Sequence, residues 1–417
     1  MSKILPFEQI NRTLDIDKHG RVLCSIENFV KILRFDEFFS DIKFNALTMT
    51  PERVNDGESA PWTDTDDSIT RAYIEKVYQA IIKKDAIFDA FNIMLREREY
   101  HPVKDVIEAV TWDGKERIET LLSKWLKCDD NLYTREVSRL IFAGGINRLY
   151  KPGCKFDNVP VLIGTKQGEG KSTFVNWLAI KDEFFNEITE ISGQKGMEVV
   201  EGAFICEISE LFAFTKSKEV EAVKSYITRQ SDKYRRPYDK RVTEHPRQCI
   251  FIGTTNRETF LTDKTGNRRF LPVVVNSSGY DLFDSQDEIK DDILQCWAEA
   301  FHKFKGGQMP ACPDKKLLKI IAEHQNGAVE DDYREGLIRK YLENCDEICI
   351  IELWEKALKN DYAKPDKKDS NEISEIVSRI EGWEKGGTKR TDYGVQKVWV
   401  KSLPFGTGAL ENLPRDL

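Results

Sequence analysis

The stretch Gly164-Thr165-Lys166-Gln167-Gly168-Glu169-Gly170-Lys171-Ser172-Thr173 constrains this chain more than any other. It follows an apolar run, Val159-Pro160-Val161-Leu162-Ile163, and opens a helix-like segment, Phe174-Val175-Asn176-Trp177-Leu178-Ala179. Strand, glycine turn and helix in that order form a phosphate loop. The glycines let consecutive backbone N–H groups curl around phosphate oxygens, and the helix N-terminus adds positive potential. Gly168, Glu169, Gly170, Lys171, Ser172 and Thr173 are the candidate binding residues. Lys171 would reach the β and γ phosphates, and the Ser172 hydroxyl would ligate Mg²⁺. One position departs from the strict pattern, which has glycine where this chain has Thr165. The competing reading is a glycine-rich turn that binds nothing.

Length sets the frame for that loop. At about 150 residues per domain, 417 residues imply two or three domains. No apolar run approaches the roughly 20 residues of a membrane helix. The N-terminus lacks an apolar signal core, so a cytoplasmic protein is expected. Nine cysteines without a C-x-x-C pair read as reduced thiols, and five dispersed histidines offer no zinc spacing. The net charge of −8 is unlike that of a simple basic nucleic-acid binder. A local basic surface can still bind DNA. The candidate is the group Lys233, Arg235, Arg236, Lys240, Arg241 and Arg247, interleaved with Tyr234, Tyr238 and His245. This mixture suits backbone phosphates and unpaired bases. The alternative is a solvated charged face.

Residues 1–125 read as a mostly helical domain with a small extended part. Ile69, Tyr73, Val77, Ala80 and Ile81 recur at three- and four-residue spacing, and Asn55-Asp56-Gly57 signals a turn. Residues 126–326 alternate helices with four candidate strands: Val159–Ile163, Phe204–Ile208, Cys249–Gly253 and Phe270–Val275. That alternation predicts an α/β fold with a parallel sheet, and ligands then bind beyond the carboxyl ends of the strands. Residues 327–417 read as three helices and a hairpin-like wing, either a winged-helix module or a small α+β cap.

Hydrolysis requires more than the loop. Glu207 and Glu210 close the apolar run Phe204–Ile208, where one acid can hold the Mg²⁺ shell and the other polarise water. Both face one site only if the strand ends near Ile208, because strand side chains alternate. Asn256, at the end of a second strand, is placed to bond the γ-phosphate or the attacking water. Arg268 and Arg269 are the two candidates for an arginine supplied to a neighbouring subunit. The alternative for both is a pair of surface arginines.

The order of these elements resembles the virulence-associated protein E family of phage and mobile-element proteins, related to superfamily-three helicases. The resemblance is carried by His101-Pro102-Val103, Trp112-Asp113-Gly114-Lys115-Glu116-Arg117-Ile118 and Pro152-Gly153-Cys154-Lys155-Phe156-Asp157. It continues through the phosphate loop, Arg235-Arg236-Pro237-Tyr238, Ile252-Gly253-Thr254-Thr255-Asn256 and Gly266-Asn267-Arg268-Arg269-Phe270. It spans about residues 66–275. It implies an AAA+-like P-loop ATPase core with a parallel sheet, using ATP and Mg²⁺. The implied activity is that of a DNA helicase, a homo-oligomeric ring acting on single-stranded or forked DNA in replication. Many relatives carry a primase module upstream; here priming is expected either to come from a separate primase or not to be needed. Two other functions fit the same motifs. One is an ATP-binding initiation or regulatory protein that does not unwind, and the other is a phosphate-loop kinase that ignores DNA.

Overall fold

Short β-branched and apolar runs bounded by turn residues become strands wherever both of their faces can be covered. The computed structural model describes residues 4–55, 57–164, 168–209, 217–236, 241–257, 267–327, 333–360 and 364–401. It divides into two compact units, Met1–Val329 and Glu330–Leu417.

The first unit begins with strands β1 (Ile42–Asn45), β2 (Thr50–Asn55), β3 (Glu58–Pro61) and β4 (Glu99–Tyr100), in the order β3-β2-β1-β4. The turn signalled by Asn55 and Gly57 joins β2 to β3, and Gly57 takes φ +86°. Helices Phe7–Thr13, Ile26–Phe35, Asp64–Tyr78 and Lys84–Glu97 contribute to a core from Ile10 to Leu95. The helix Asp64–Tyr78 buries Thr70, Ile74 and Tyr78, and of the stripe read from the sequence Tyr73 and Val77 pack against the same core and Ala80 is buried in it. Ile69 is exposed, and the helix ends before Ala80 and Ile81. From Val103 onward, apolar side chains join the core of the next layer. Leu47 also belongs to that later core, so the N-terminal layer contributes to both.

That next layer is a five-stranded sheet of β5 (Val159–Gly164), β6 (Phe185–Glu187), β7 (Ile205–Ile208), β10 (Ile250–Thr255) and β11 (Phe270–Val275). Between β7 and β10 the chain forms a hairpin, β8 (Ser231–Tyr234) and β9 (Thr243–Pro246). The sheet runs β11-β5-β10-β7-β6, and every pairing is parallel. Its two faces follow the two-residue period. Leu162, Ile205, Ile250, Ile252, Leu271 and Val273 belong to one apolar cluster, with helices Leu132–Tyr150, Lys171–Leu178 and Gln286–Lys305. Val161, Ile163, Cys206, Ile208, Phe251 and Phe270 belong to the other, with helix Ser217–Thr228. Mixed α/β architecture with a parallel sheet is what the alternation predicted. The three-residue strand β6 was not foreseen.

The helix Leu132–Tyr150 buries most of its length. A Cβ at Gly145 would lie 2.4 Å from the Trp297 ring, so the helix accepts a glycine to let that indole reach the Leu178 carbonyl at 3.0 Å. The second unit runs helix Tyr333–Leu342, β12 (Glu347–Cys349), a helical turn from Ile350, helix Lys367–Arg379, β13 (Trp383–Thr391) and β14 (Gly394–Lys401). Strand β14 lies between the other two, antiparallel to both. Asp366 caps its last helix through a capping box with Asp369.

His101 ties the start of helix Pro102–Ala109 to Gln248, whose side-chain amide donates to the Ala46 carbonyl at 2.8 Å. Its Nδ1 accepts from the Lys104 backbone N–H at 3.4 Å, which leaves Nε2 to donate to the Gln248 side-chain oxygen at 2.8 Å. Burial pushes the imidazole down to about 4. A depressed histidine leaves stability intact above its unfolded value near 6.5 and removes it as pH falls towards 4. Between pH 7 and pH 5 this site should cost the first unit about 2 kcal/mol. Denaturant unfolding at both pH values, compared with His101→Asn, checks this; the variant should lose that part of the acid sensitivity.

Candidate functional site

The loop between β5 and the helix Lys171–Leu178 is built around missing side chains. Gly168 and Gly170 take φ +84° and +77°, in the left-handed region that other residues avoid. A Cβ on Gly164 would lie 1.6 Å from Glu169 Oε2 and 2.2 Å from Lys171 Nζ. The glycine one step ahead of the expected position therefore makes room for both side chains at the end of β5. Thr165 lies outside the described residues, as do Lys166 and Gln167.

Lys171 Nζ donates to Asn256 Oδ1 at 2.9 Å and lies 3.2 Å from Glu169 Oε2. Both ionic side chains are largely buried. Asn256 is placed here because β10 pairs directly with β5, aligning Thr255 with Ile163. On the other side of β10, Glu207 pairs with Ile252. Its position in the alternation turns it to the face carrying the helix of Ser172. The Ser172 and Thr254 hydroxyls both donate to Glu207 Oε1, at 2.7 and 2.6 Å. Glu207 is 2% exposed, and burial raises its pKa above the ordinary glutamate value against the pull of those two hydroxyls. Strand β7 ends at Ile208, as the two-carboxylate reading requires, but Glu210 lies outside the described residues.

A cavity of about 350 Å³ opens over the loop, lined by Gly168 through Thr173 on one side and Ser209, Thr254, Thr255 and Asn256 on another. Its remaining wall, Gly279 and Phe283, was not read from the sequence. The segment after β11 clasps the loop backbone. Gly279 N–H donates to the Gly168 carbonyl at 2.9 Å, and Ser277 Oγ donates to the Glu169 carbonyl at 2.7 Å. Leu282 fills the space that a Cβ on Gly170 would take. The glycine–leucine spacing in Gly279-Tyr280-Asp281-Leu282 was the available signal. It is too common to have been decisive.

Arg268 and Arg269 sit in a 3-10 turn at the start of β11. Strand β11 aligns Phe270 with Val159, the first residue of β5, whereas the glycine loop leaves from its last. Five strand steps, about 17 Å, separate the two ends. The arginines are thus not brought together with Lys171 in the same chain. Arg268 is exposed, while Arg269 Nε lies 3.8 Å from Asp157.

The basic stretch forms the hairpin of β8 and β9, and its cations divide. Lys233, Arg235 and Arg241 are exposed, with Lys233 3.4 Å from Glu244. Arg236 is tied to Glu201 and donates to the Met49 carbonyl at 3.2 Å. Lys240 lies outside the described residues. Arg247 corrects the sequence expectation of a DNA-facing cation. It is 3% exposed, bonds Asp232 through Nε at 2.6 Å and Nη2 at 3.0 Å, and stacks on Tyr226 at 4.5 Å. Arg247→Ala would take from buried Asp232 the guanidinium that bonds both its oxygens and leave it only Arg229, 3.5 Å away, so thermal or denaturant unfolding should register a loss of roughly 2 kcal/mol.

Glycine loop, helix N-terminus and buried carboxylate lie together at the strand ends of a mixed α/β fold with a parallel sheet. A virulence-associated protein E-like domain model matches residues 107–330, over half of the 417 residues, and the chain belongs to that family. No curated protein matches it. Among solved structures, the apo A form of the NrS-1 C-terminal region is similar at 13% identity and TM-score 0.49, covering 87% of this chain and 96% of that one. An inhibitor-bound JCV helicase is similar at 12% identity and TM-score 0.29, covering 67% of this chain and 82% of that one. Scores this low carry no argument about activity. Among the described residues no helix is long and apolar enough to cross a membrane, and no group of three or more His, Cys, Asp or Glu could hold a metal.

Proposed function

We propose that the protein is an ATP-dependent DNA helicase, a DNA-stimulated ATPase acting in the replication of a phage or mobile element. The observation that carries this reading is the convergence of Lys171, Ser172 and Asn256 on one cavity over a glycine loop, with the buried Glu207 bonded to the Ser172 and Thr254 hydroxyls behind its wall. An ammonium, a helix N-terminus and curled backbone amides suit a triphosphate. The hydroxyl of Ser172 and the carboxylate of Glu207 are hard oxygen donors, the kind Mg²⁺ prefers. Two protein groups would suffice, since Mg²⁺ usually keeps waters and phosphate oxygens as its other ligands. The bound ion would act as a Lewis acid on the phosphates. Lys171 would exchange Glu169 and Asn256 for phosphate oxygens. Asn256 would then turn to orient the attacking water, and Glu210 would polarise it.

The separation of Arg268 from its own loop supports assembly of several copies. An arginine at the amino end of β11 serves a triphosphate only when the next subunit presents its loop there. Arg268, exposed, is assigned that role; Arg269, beside Asp157, is assigned to holding the turn.

Lys171→Ala should abolish ATP turnover, with or without single-stranded DNA, while leaving the far-ultraviolet circular dichroism unchanged. Arg268→Ala should lower turnover about 10³-fold. Mixing the two inactive proteins should restore part of the activity, because an intact loop can then meet an intact arginine. No recovery on mixing argues against an arginine in trans, and unwinding by Lys171→Ala refutes the helicase reading.

The hairpin offers the DNA contact. Replacing Arg235 and Arg241 by Ala should leave stability unchanged and flatten the salt dependence of single-stranded DNA affinity by about one unit of slope per cation. Titrations at several salt concentrations measure it. A second reading, an ATP-binding initiation or regulatory protein without unwinding activity, draws on the second unit. Its helix–strand–helix–helix–hairpin order suits a winged-helix module. Strand displacement with ATP and with a non-hydrolysable analogue separates the two: the second protein holds DNA equally with both and displaces nothing.

A further inference from the structure

We propose that Phe283 is the shelf on which the nucleobase stacks, an assignment that rests on the phosphate-loop reading above. The sheet gives the cavity a direction. Strands β10 and β11 flank β5 on opposite sides, roughly 10 Å apart. Lys171 bonds Asn256 at the end of β10, which marks that side as the terminal-phosphate end. The nucleoside then extends towards the side of β11, where the chain continues into the helix Gly279–Asp284.

That helix is fixed to the loop at one end. Gly279 bonds the Gly168 carbonyl, and a Cβ on Gly279 would lie 2.3 Å from that oxygen. Phe283 lies four residues on, so it shares a helix face with Gly279, about 6 Å further along. Both line the cavity. One end of the face therefore touches the phosphate loop, and the other presents an aromatic ring.

The ring is both held and available. Phe283 meets Trp177 edge-on, with centroids 6.1 Å apart and planes at 86°. Trp177 is buried and belongs to the helix that starts at Lys171, so the shelf is tied to the loop by two elements. Phe283 nevertheless remains 56% exposed, whereas its neighbour Leu282 is 2% exposed under Gly170. A flat ring with an uncovered surface, one helical turn from a phosphate cradle, suits a nucleobase, since every base has a π face to stack.

Calorimetric titration of the full-length protein with two magnesium-loaded probes tests this. One is a non-hydrolysable ATP analogue; the other is inorganic tripolyphosphate, which has no base. Phe283→Ala and Phe283→Leu should weaken the ATP analogue about 10-fold and leave tripolyphosphate unchanged. Phe283→Trp should retain the wild-type preference. Unaltered analogue affinity in Phe283→Ala, or equal loss of both probes, overturns the shelf while leaving the loop reading in place. If the unaltered protein binds neither probe, the phosphate-loop reading falls and the shelf falls with it.

Discussion

The register between β5 and its two neighbours determines what this molecule can do by itself. Pairing with β10 brings Asn256 to the glycine loop, and pairing with β11 starts that strand level with Val159. One slip of two residues in the β10 pairing would move Asn256 by about 7 Å and disconnect it from Lys171. The same register holds Arg268 at the opposite end of the strands from the glycine loop. Under the proposed function, each subunit thus carries half of two sites and no complete one.

Polar burial around the loop is tolerated because each group has a partner. Glu207 would be costly in an apolar layer, yet two hydroxyls meet one of its oxygens. Lys171 is oriented by Glu169 and Asn256. This arrangement stores Lys171 close to where a triphosphate would need it, so binding exchanges ionic partners rather than ordering a free side chain. The cost is competition: Glu169 must give up the ammonium that a phosphate would take. Gly164 makes that contact sterically possible, and the Gly279 and Ser277 bonds keep the loop backbone from collapsing into the space.

Much of this was legible because local signals and global packing agree. Four of the five strands are continuous runs such as Phe270-Leu271-Pro272-Val273-Val274-Val275, which bury both faces and need no partner to be recognised. Strand β6 was hidden because Phe185-Asn186-Glu187 is short and mostly polar; only edge pairing with β7 makes it a strand. Lys171, Ser172 and Glu207 were legible from the loop spacing and the acid in an apolar run. Gly279 and Phe283 were not, since their link to the loop runs through backbone groups far apart in sequence. Arg247 looked like its neighbours because the sequence does not show which cation crosses the hairpin base to Asp232, fifteen residues upstream. Arg268 and Arg269 were indistinguishable until Asp157 was seen beside only one of them.

The division among the hairpin cations bears on how an acidic chain would hold DNA. Arg247 is structural and Arg236 is tied to Glu201, which leaves few exposed cations on each described hairpin. Each neutralised phosphate adds only a modest, salt-sensitive increment, so one hairpin alone would grip a strand weakly against a net charge of −8. Several hairpins presented around one strand would act at high effective concentration and add their increments without new contacts. The same assembly that completes the nucleotide site through Arg268 would then complete the DNA site. Nucleotide and DNA affinity would rise together with subunit concentration, because both depend on one interface.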